Sequence, residues 1–262
     1  NLREHGSELA DFPYPSRLAD PLYRQACWGF VTRWQNDRAY KHAYLRLADE
    51  LQIRYDLTRW AVGLPHSVGL TLRATFVNVQ EALWTHVEQC LAGLETEDEW
   101  RNWLQGHDGP IGARADDFWA REGRDPGWRL LVLARDLLTA IQGVRRQLDR
   151  WTKPGELLRD YSERWYCIDQ DYRRLREALD AAPRAHDRLR ERCARSYGDI
   201  LRRLNDRFCA LLEDEATWPP QGLPAQDTFW ADVLAARGRG QRIAVILVDA
   251  LGGNDLVTVG PT

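Results

Sequence analysis

Apolar residues recur every three or four positions through most of the 262-residue chain, and this spacing constrains its fold more than any other feature. From Tyr161 to Leu179, successive apolar positions lie four, three, four, three and four residues apart. The same kind of spacing continues from Leu189 to Leu211. Each stripe places its apolar side chains on one face of a helix. The pair of stripes predicts two amphipathic helices packed together across a turn at 181–185.

Other segments show the same helical spacing, which predicts further helices over 37–64, 72–91 and 131–151. Asp125 is suited to cap the last of these helices, and Pro126 is suited to its first turn. Proline and glycine cluster in short stretches, which indicate breaks between helices, at 11–15, 105–112, 122–127, 153–156 and 217–227. The chain is therefore predicted to be mainly α.

One short segment breaks the helical spacing. Six apolar residues follow one another from Ile243 to Val248, which is typical of a strand buried on both faces of a parallel sheet. A second strand-like segment begins at Leu256, and only the six residues 250–255 separate it from the aspartate that ends the first segment. A crossover between parallel strands needs about 10 to 12 residues. Either the glycines and asparagine at 252–254 turn a hairpin, or residues are missing between Leu251 and Leu256.

The aspartate that ends the first strand is Asp249, and its position allows two interpretations. Sites in open α/β sheets lie beyond the carboxyl ends of the strands, and a carboxylate there is a suitable ligand for a divalent metal ion. A carboxylate in the same place also caps a following helix. We predict a helical domain over 1–236 and the incomplete start of an α/β domain over 237–262.

The composition argues against several classes of protein, including membrane-spanning, secreted and disulfide-rich proteins. The chain contains no methionine, and we interpret it as an internal part of a longer protein. It has no apolar run long enough to cross a membrane and no signal-peptide pattern, so we expect a cytoplasmic location without a membrane partner. Its five cysteines are far apart, which predicts reduced, buried thiols and no zinc or disulfide framework.

Other candidate residues have ordinary structural interpretations. The six histidines are scattered without metal-binding spacing, and we interpret each as a surface or core residue. The arginine clusters alternate with acids, which favours solvated, ion-pairing helix faces over contacts with phosphate or nucleic acid. Trp128, Trp151 and Trp165 lie on or near apolar stripes and are predicted to fill the core. The roles of four other tryptophans stay open, namely Trp28, Trp34, Trp100 and Trp103.

Several segments resemble a known family. The stretch RIAVILVDAL at 242–251 resembles the opening of the PglZ domain, a member of the alkaline phosphatase superfamily found in Pgl and BREX phage-defence systems. The stretch YSERWYCIDQDYRRLREAL at 161–179 is similar to the family's pattern of Tyr, Trp, Ile-Asp and Tyr-Arg in the helix that leads towards that domain. The segments at 116–131 and 227–234 are also similar to family sequences. The resemblance extends over roughly half of the chain.

The resemblance implies a helical region followed by the first strands of an alkaline-phosphatase-like domain, a metal-dependent phosphohydrolase or nuclease when complete. Asp249 matches the first ligand of the divalent metal ions, zinc or a similar ion. Pro261 and Thr262 match the dipeptide before the nucleophile, which would lie beyond Thr262, so no catalytic residue is assigned here. Gly252 departs from the family pattern, which has arginine at that place.

The implied partners are other Pgl or BREX defence proteins, with nucleic acid reached through their complex. By this interpretation the chain alone is inactive and serves a larger enzyme. Two alternatives remain: a non-catalytic helical scaffold that docks other subunits of the defence complex, and a helical domain of unrelated function.

Overall fold

The computed structural model describes residues 21–62 and 76–214, and these residues are mainly helical, with no strand among them. The α-helices are α1 (Pro21–Asn36), α2 (Lys41–Arg54), α3 (Leu57–Val62), α4 (Val77–Ala92), α5 (Glu97–Gly106), α6 (Asp108–Ala115), α7 (Phe118–Arg121), α8 (Trp128–Arg145), α9 (Pro154–Asp160), α10 (Cys167–Ala181) and α11 (Asp187–Glu213). A 3-10 turn occupies Leu148–Arg150, and a π-helical turn occupies Tyr161–Trp165. None of the described helices is long and apolar enough to cross a membrane.

The described residues divide into two compact units. Unit 1 contains the residues up to Asp136 together with Leu175–Arg190, and unit 2 contains Leu137–Arg174 and the residues from Glu191 onward. The predicted boundary at 236 lies outside the described residues, as do the strand-like segments that follow it. The described residues are mainly helical, and both the limits of a helical domain over 1–236 and the α/β start over 237–262 remain predictions.

Two helices follow the sequence prediction closely. Helix α11 covers the whole stripe from Leu189 to Leu211, and α4 covers most of the stripe predicted over 72–91. The predicted packing of α10 against α11 is also found, since Tyr172 and Tyr197 stack with their ring centroids 4.0 Å apart. The stripes identify the buried faces correctly because burial of apolar surface is what holds an amphipathic helix in place.

The single helix predicted over 37–64 is wrong, because the chain forms two helices there. Asp56 separates α2 from α3 and has a φ of 45°. A residue in this left-handed region cannot continue a right-handed helix, and aspartate tolerates the conformation better than most residues. The apolar stripe passes through the break, so spacing alone did not reveal it.

The break predicted at 105–112 is also wrong in part, since α6 begins at Asp108. Pro110 lies in the first turn of that helix, where a backbone N–H has no partner within the helix. Proline is therefore tolerated there, although the same residue deeper in a helix would end it.

The limits of α8 differ from the predicted 131–151. Asp125 does cap this helix, because its carboxylate accepts hydrogen bonds from the backbone N–H groups of residues 127, 128 and 129 at 2.7–3.1 Å. Pro126 lies before the helix and not in its first turn. The helix ends at Arg145, yet Trp151 is still buried, and its indole N–H donates to Asp160 at 2.9 Å.

Unit 1 encloses a buried polar network beside its aromatic core. Arg114 is 3% exposed and donates to the side-chain oxygen of Gln80 at 2.7 Å. The amide of Gln80 donates in turn to Asp117, which caps α7 by accepting from Ala120 N at 2.9 Å. Burial lowers the pKa of Arg114 to about 10 and raises that of Asp117. The Arg114 guanidinium also lies 5.2 Å from the ring of Trp128.

Candidate functional site

The predicted metal ligand, Asp249, lies outside the described residues, together with Gly252, Pro261 and Thr262. Among residues 21–62 and 76–214, no group of three or more His, Cys, Asp or Glu side chains is arranged to hold a metal ion. The metal assignment therefore remains a prediction that rests on the resemblance.

The described histidines and cysteines occupy varied positions. His42 is exposed, His107 stacks on Trp103 at 4.3 Å between centroids, and His186 is buried. All five cysteines are free. The prediction of buried thiols is confirmed for Cys193, whereas Cys27, Cys90 and Cys167 are half-buried. It is wrong for Cys209, which is exposed because the stripe of α11 does not pass through it. Two histidines, His5 and His66, lie outside the described residues.

Several arginines form ion pairs with nearby acids, as the alternation of charges predicts. In unit 2, the carboxylate of Asp199 is 3.1 Å from Arg145, 2.9 Å from Arg203 and 3.6 Å from Arg202. In unit 1, Arg190 pairs with Asp180 at 2.7 Å. These contacts support solvated, ion-pairing helix faces.

Three residues of the 161–179 pattern and one residue of α11 form a cluster in unit 2, which we call the tyrosine cluster: Tyr161, Asp169, Tyr172 and Tyr197. The hydroxyl of Tyr161 donates to one carboxylate oxygen of Asp169, and the hydroxyl of Tyr197 donates to the other at 2.8 Å. Tyr172 stacks on Tyr197. Both oxygens of one carboxylate are thus used to hold two phenols from different parts of the chain.

The π-helical turn sets the position of Tyr161 relative to Asp169. The backbone N–H of Tyr166 donates to the carbonyl of Tyr161 at 2.9 Å, five residues back instead of four. Trp165 from this turn packs over α8, where a Cβ added to Gly143 would lie 3.0 Å from its ring. A glycine at 143 therefore lets the indole approach the helix backbone closely.

Burial raises the pKa of the Tyr161 and Tyr197 hydroxyls, and their hydrogen bonds to the negatively charged Asp169 raise it further. Both phenols therefore stay protonated at neutral pH. They act as hydrogen-bond donors and not as bases, so the chemistry of the tyrosine cluster is that of a structural clamp.

We expect Asp169→Ala to lower the free energy of unfolding by about 2–3 kcal/mol, because two half-buried phenols lose a charged acceptor. Urea denaturation followed by circular dichroism measures the change. Glu177→Ala on the same helix, at an exposed position, serves as the control and should have little effect. Equal losses in the two variants would contradict the role given to Asp169.

Unit 1 contains an open cavity of about 490 Å³. It lies between α4 and the first turn of α11, over side chains from α5 and α8. The residues that line it are Trp84, Thr85, Glu88, Gln89, Leu91, Ala92, Trp100, Leu131, Ala185, His186, Asp187, Arg188 and Leu189. The cavity combines a buried apolar floor with charged groups and is the candidate binding site of the described residues.

The aromatic side chains of the cavity floor are held in place by specific contacts. The indole N–H of Trp100 donates to the carbonyl of Leu94 at 3.2 Å. Trp84 meets both His186 and Trp128 edge to face, at centroid distances of 5.3 and 5.5 Å. Gly127, with a φ of 145°, lies directly beneath the Trp84 ring. These contacts fix the positions of the aromatic side chains in the cavity floor.

His186 is the buried titratable group of the cavity. Burial lowers its pKa, while the nearby carboxylate of Glu88 acts in the opposite direction. The imidazole is therefore mainly neutral at pH 7 and offers one hydrogen-bond donor and one acceptor. From the sequence, His186 is interpreted as a surface or core residue. Its proximity to Glu88 could not be predicted, because the two residues are far apart in the chain.

The cavity also resolves the role of one tryptophan left open by the sequence. Trp100 is 2% exposed and belongs to the cavity floor. Of the three tryptophans predicted to fill the core, Trp128 and Trp151 are buried, and Trp165 is half-buried.

Comparisons with protein-family models, curated proteins and solved structures find no match to this chain.

Proposed function

We propose that this chain is the helical portion of a PglZ-like phage-defence protein whose full-length form is a metal-dependent phosphohydrolase or nuclease. The observation that supports this proposal is the tyrosine cluster. Three residues that carry the resemblance at 161–179, namely Tyr161, Asp169 and Tyr172, belong to it, so part of the pattern has a physical basis in the packing of the helical region.

The individual positions of the pattern fit this role. Asp169 accepts from two tyrosines, and Ile168 beside it is fully buried. Trp165 fills the space above Gly143. A segment with these contacts stabilises a helical region and does not itself carry catalysis. In the proposal, Asp249 would hold the first of two divalent ions, and such ions would supply charge neutralisation at a phosphoryl group and a lowered pKa of the attacking hydroxyl.

The test uses the full-length protein and a chromogenic phosphodiester with added divalent cations. We expect cation-dependent hydrolysis that falls at least about 100-fold in Asp249→Ala, since a lost ligand removes the metal ion from its site. Asp255→Ala is the matched control, because it removes a nearby carboxylate to which the proposal assigns no role. Undiminished hydrolysis by Asp249→Ala would remove the site assignment.

A second candidate function is a non-catalytic scaffold that docks other defence-complex subunits. The observation in its favour is the distribution of exposed apolar side chains. Every large apolar side chain that the described residues expose lies between positions 22 and 62, including Phe30 at 64% and Ile53 at 77% exposure. Large exposed apolar side chains are candidates for contact with another protein, and α2 supplies two of them, Leu47 and Ile53.

This candidate is tested by co-purification of the full-length protein with proteins encoded beside it. Ile53→Glu should abolish co-purification, whereas Arg46→Glu, an exposed change on the same helix, should leave co-purification unchanged. Retained co-purification in Ile53→Glu would argue against docking on this surface.

A further inference from the structure

Helix α1 presents a mainly apolar face to solvent. Five exposed residues follow one another at helical spacing and share this side of the helix: Leu22, Ala26, Gly29, Phe30 and Arg33. The side chain of Leu22 is 76% exposed and that of Phe30 is 64% exposed. Among the described side chains of α1, which are those of Leu22 and of residues 25–36, only Arg33 is charged. Since 29% of the chain is Asp, Glu, Lys or Arg, a solvent-facing side of this composition is unusual.

Other side chains of α1 hold the helix firmly to unit 1. The amide of Gln35 donates to the hydroxyl of Tyr44 at 2.8 Å, and both residues are buried. Trp34 meets Tyr44 edge to face with ring centroids 5.9 Å apart, and Phe30 packs on Trp34 at 5.5 Å. The exposed ring of Phe30 is therefore the outer end of an aromatic series that begins in the core. A large ring held in this way loses little conformational freedom when a partner covers it.

The spacing along the outer face of α1 fits a second copy of the same face. Leu22 and Phe30 each lie four residues from Ala26, on opposite sides of it. If two such helices run antiparallel and cross at Ala26, each Leu22 lies opposite the Phe30 of the other helix. A two-fold interface requires this kind of reciprocal contact. Small residues at the centre let the helices approach closely, and a Cβ added to Gly29 would meet no atom within 4 Å.

Charge favours the antiparallel arrangement over the parallel one. In a parallel pair the two Arg33 side chains would lie side by side and repel each other. In the antiparallel pair they lie at opposite ends of the contact, about 21 Å apart along the helix axis. That separation exceeds the screening length of about 8 Å at physiological ionic strength. The dipoles of the two helices also attract when they run in opposite directions.

The size of the contact indicates a weak dimer. A helix of 16 residues is about 24 Å long and about 10 Å wide. A contact along one side of it is smaller than the area of about 800 Å² that each partner buries in an interface of standard size. Interfaces below the standard size belong to weak and transient complexes. Monomers and dimers are therefore expected to exchange at micromolar concentrations.

We propose that the outer face of α1 joins two copies of this chain, with the two α1 helices antiparallel and Leu22 of each copy packed on Phe30 of the other. The contact uses side chains other than Leu47 and Ile53 of α2. It does not depend on either of the candidate functions described above. A dimer of this kind presents every other exposed surface of the chain twice, related by a two-fold axis.

The test is sedimentation velocity on the full chain over a range of concentrations. We expect a reversible monomer–dimer equilibrium with a dissociation constant of about 1–100 μM. Phe30→Glu and Leu22→Lys should each weaken the dimer at least about tenfold, because each change affects both ends of a symmetric contact. Ile53→Glu is the matched control, since Ile53 is as exposed as Leu22 but lies on α2, and it should leave the dissociation constant unchanged. Circular dichroism checks that each variant keeps its fold.

An equimolar mixture of Phe30→Glu and Leu22→Lys tests the antiparallel register. In the mixed dimer, the new carboxylate at position 30 of one copy meets the new ammonium group at position 22 of the other, and the second contact keeps the original leucine and phenylalanine. We expect the mixture to associate at least about tenfold more tightly than either variant alone. An equally weak mixture, a monomer at every concentration, or self-association that Phe30→Glu leaves unchanged overturns the proposal. A monomer that instead binds another protein through Phe30 also overturns it, by assigning this face to that protein.

Discussion

Replacement of Gly127 by alanine is expected to lower the free energy of unfolding by about 3 kcal/mol or more, through backbone strain and steric overlap together. Its φ of 145° lies in a region that residues with a Cβ rarely adopt. An added Cβ would also lie 2.5 and 2.6 Å from two carbons of Trp84 and 3.0 Å from His186. Trp84 is 2% exposed and cannot move away without disturbing its neighbours.

Gly123→Ala is the matched control for this prediction. Gly123 also has a positive φ, 74°, but an added Cβ would meet no atom within 4 Å. The control therefore carries the backbone strain alone, about 1 kcal/mol. Urea denaturation of both variants separates the two contributions. Similar losses for Gly123→Ala and Gly127→Ala would show that Trp84 does not pack on Gly127 as described.

The second large effect is expected from Gln80→Leu. Gln80 is 1% exposed and connects the buried Arg114 to Asp117 through both ends of its amide. Leucine keeps most of the volume but removes an acceptor from a buried guanidinium. Removing one partner of a buried charged group costs about 3 kcal/mol or more, and we expect a loss of this size.

The double variant Gln80→Leu/Arg114→Met distinguishes a lost hydrogen bond from lost packing. Once the guanidinium is also gone, no buried guanidinium lacks the Gln80 acceptor, and Asp117 keeps its hydrogen bond from Ala120 N. Apolar replacements of similar volume for such a pair are often close to neutral. We expect the double variant to recover at least half of the stability lost in Gln80→Leu. A double variant less stable than Gln80→Leu would contradict the explanation by a lost hydrogen bond, because Arg114 would then stabilise the fold without the Gln80 acceptor.

The sequence predicts the long helices well because their apolar stripes coincide with their buried faces. Leu131, Leu138, Ile141 and Val144 in α8 are all completely buried, as the stripe predicts. The breaks are less predictable. Asp56 ends α2 by its backbone conformation, whereas Pro110 is accommodated within a helix, and neither outcome follows from residue type alone.

The cavity could not be predicted from the sequence. Glu88 and His186 are nearly a hundred positions apart, and each taken alone is an ordinary surface or core residue. Their proximity depends on how α4 and the first turn of α11 meet in unit 1. The tyrosine cluster was partly predictable, because the stripe places Tyr161 and Tyr172 on one face but does not indicate that Asp169 joins them.

The π-helical turn at Tyr161–Trp165 makes the geometry of the tyrosine cluster depend on the number of residues in that turn. An α-helix rotates by about 100° with each residue, so deleting one residue from the turn would rotate Tyr161 away from Asp169 by that angle even if all the named residues were kept. The carboxylate can be shared by Tyr161 and Tyr197 only while the number of residues in the turn is preserved. Related chains should therefore show fewer insertions and deletions at 161–166 than changes of residue at its exposed positions, such as Ser162 and Glu163.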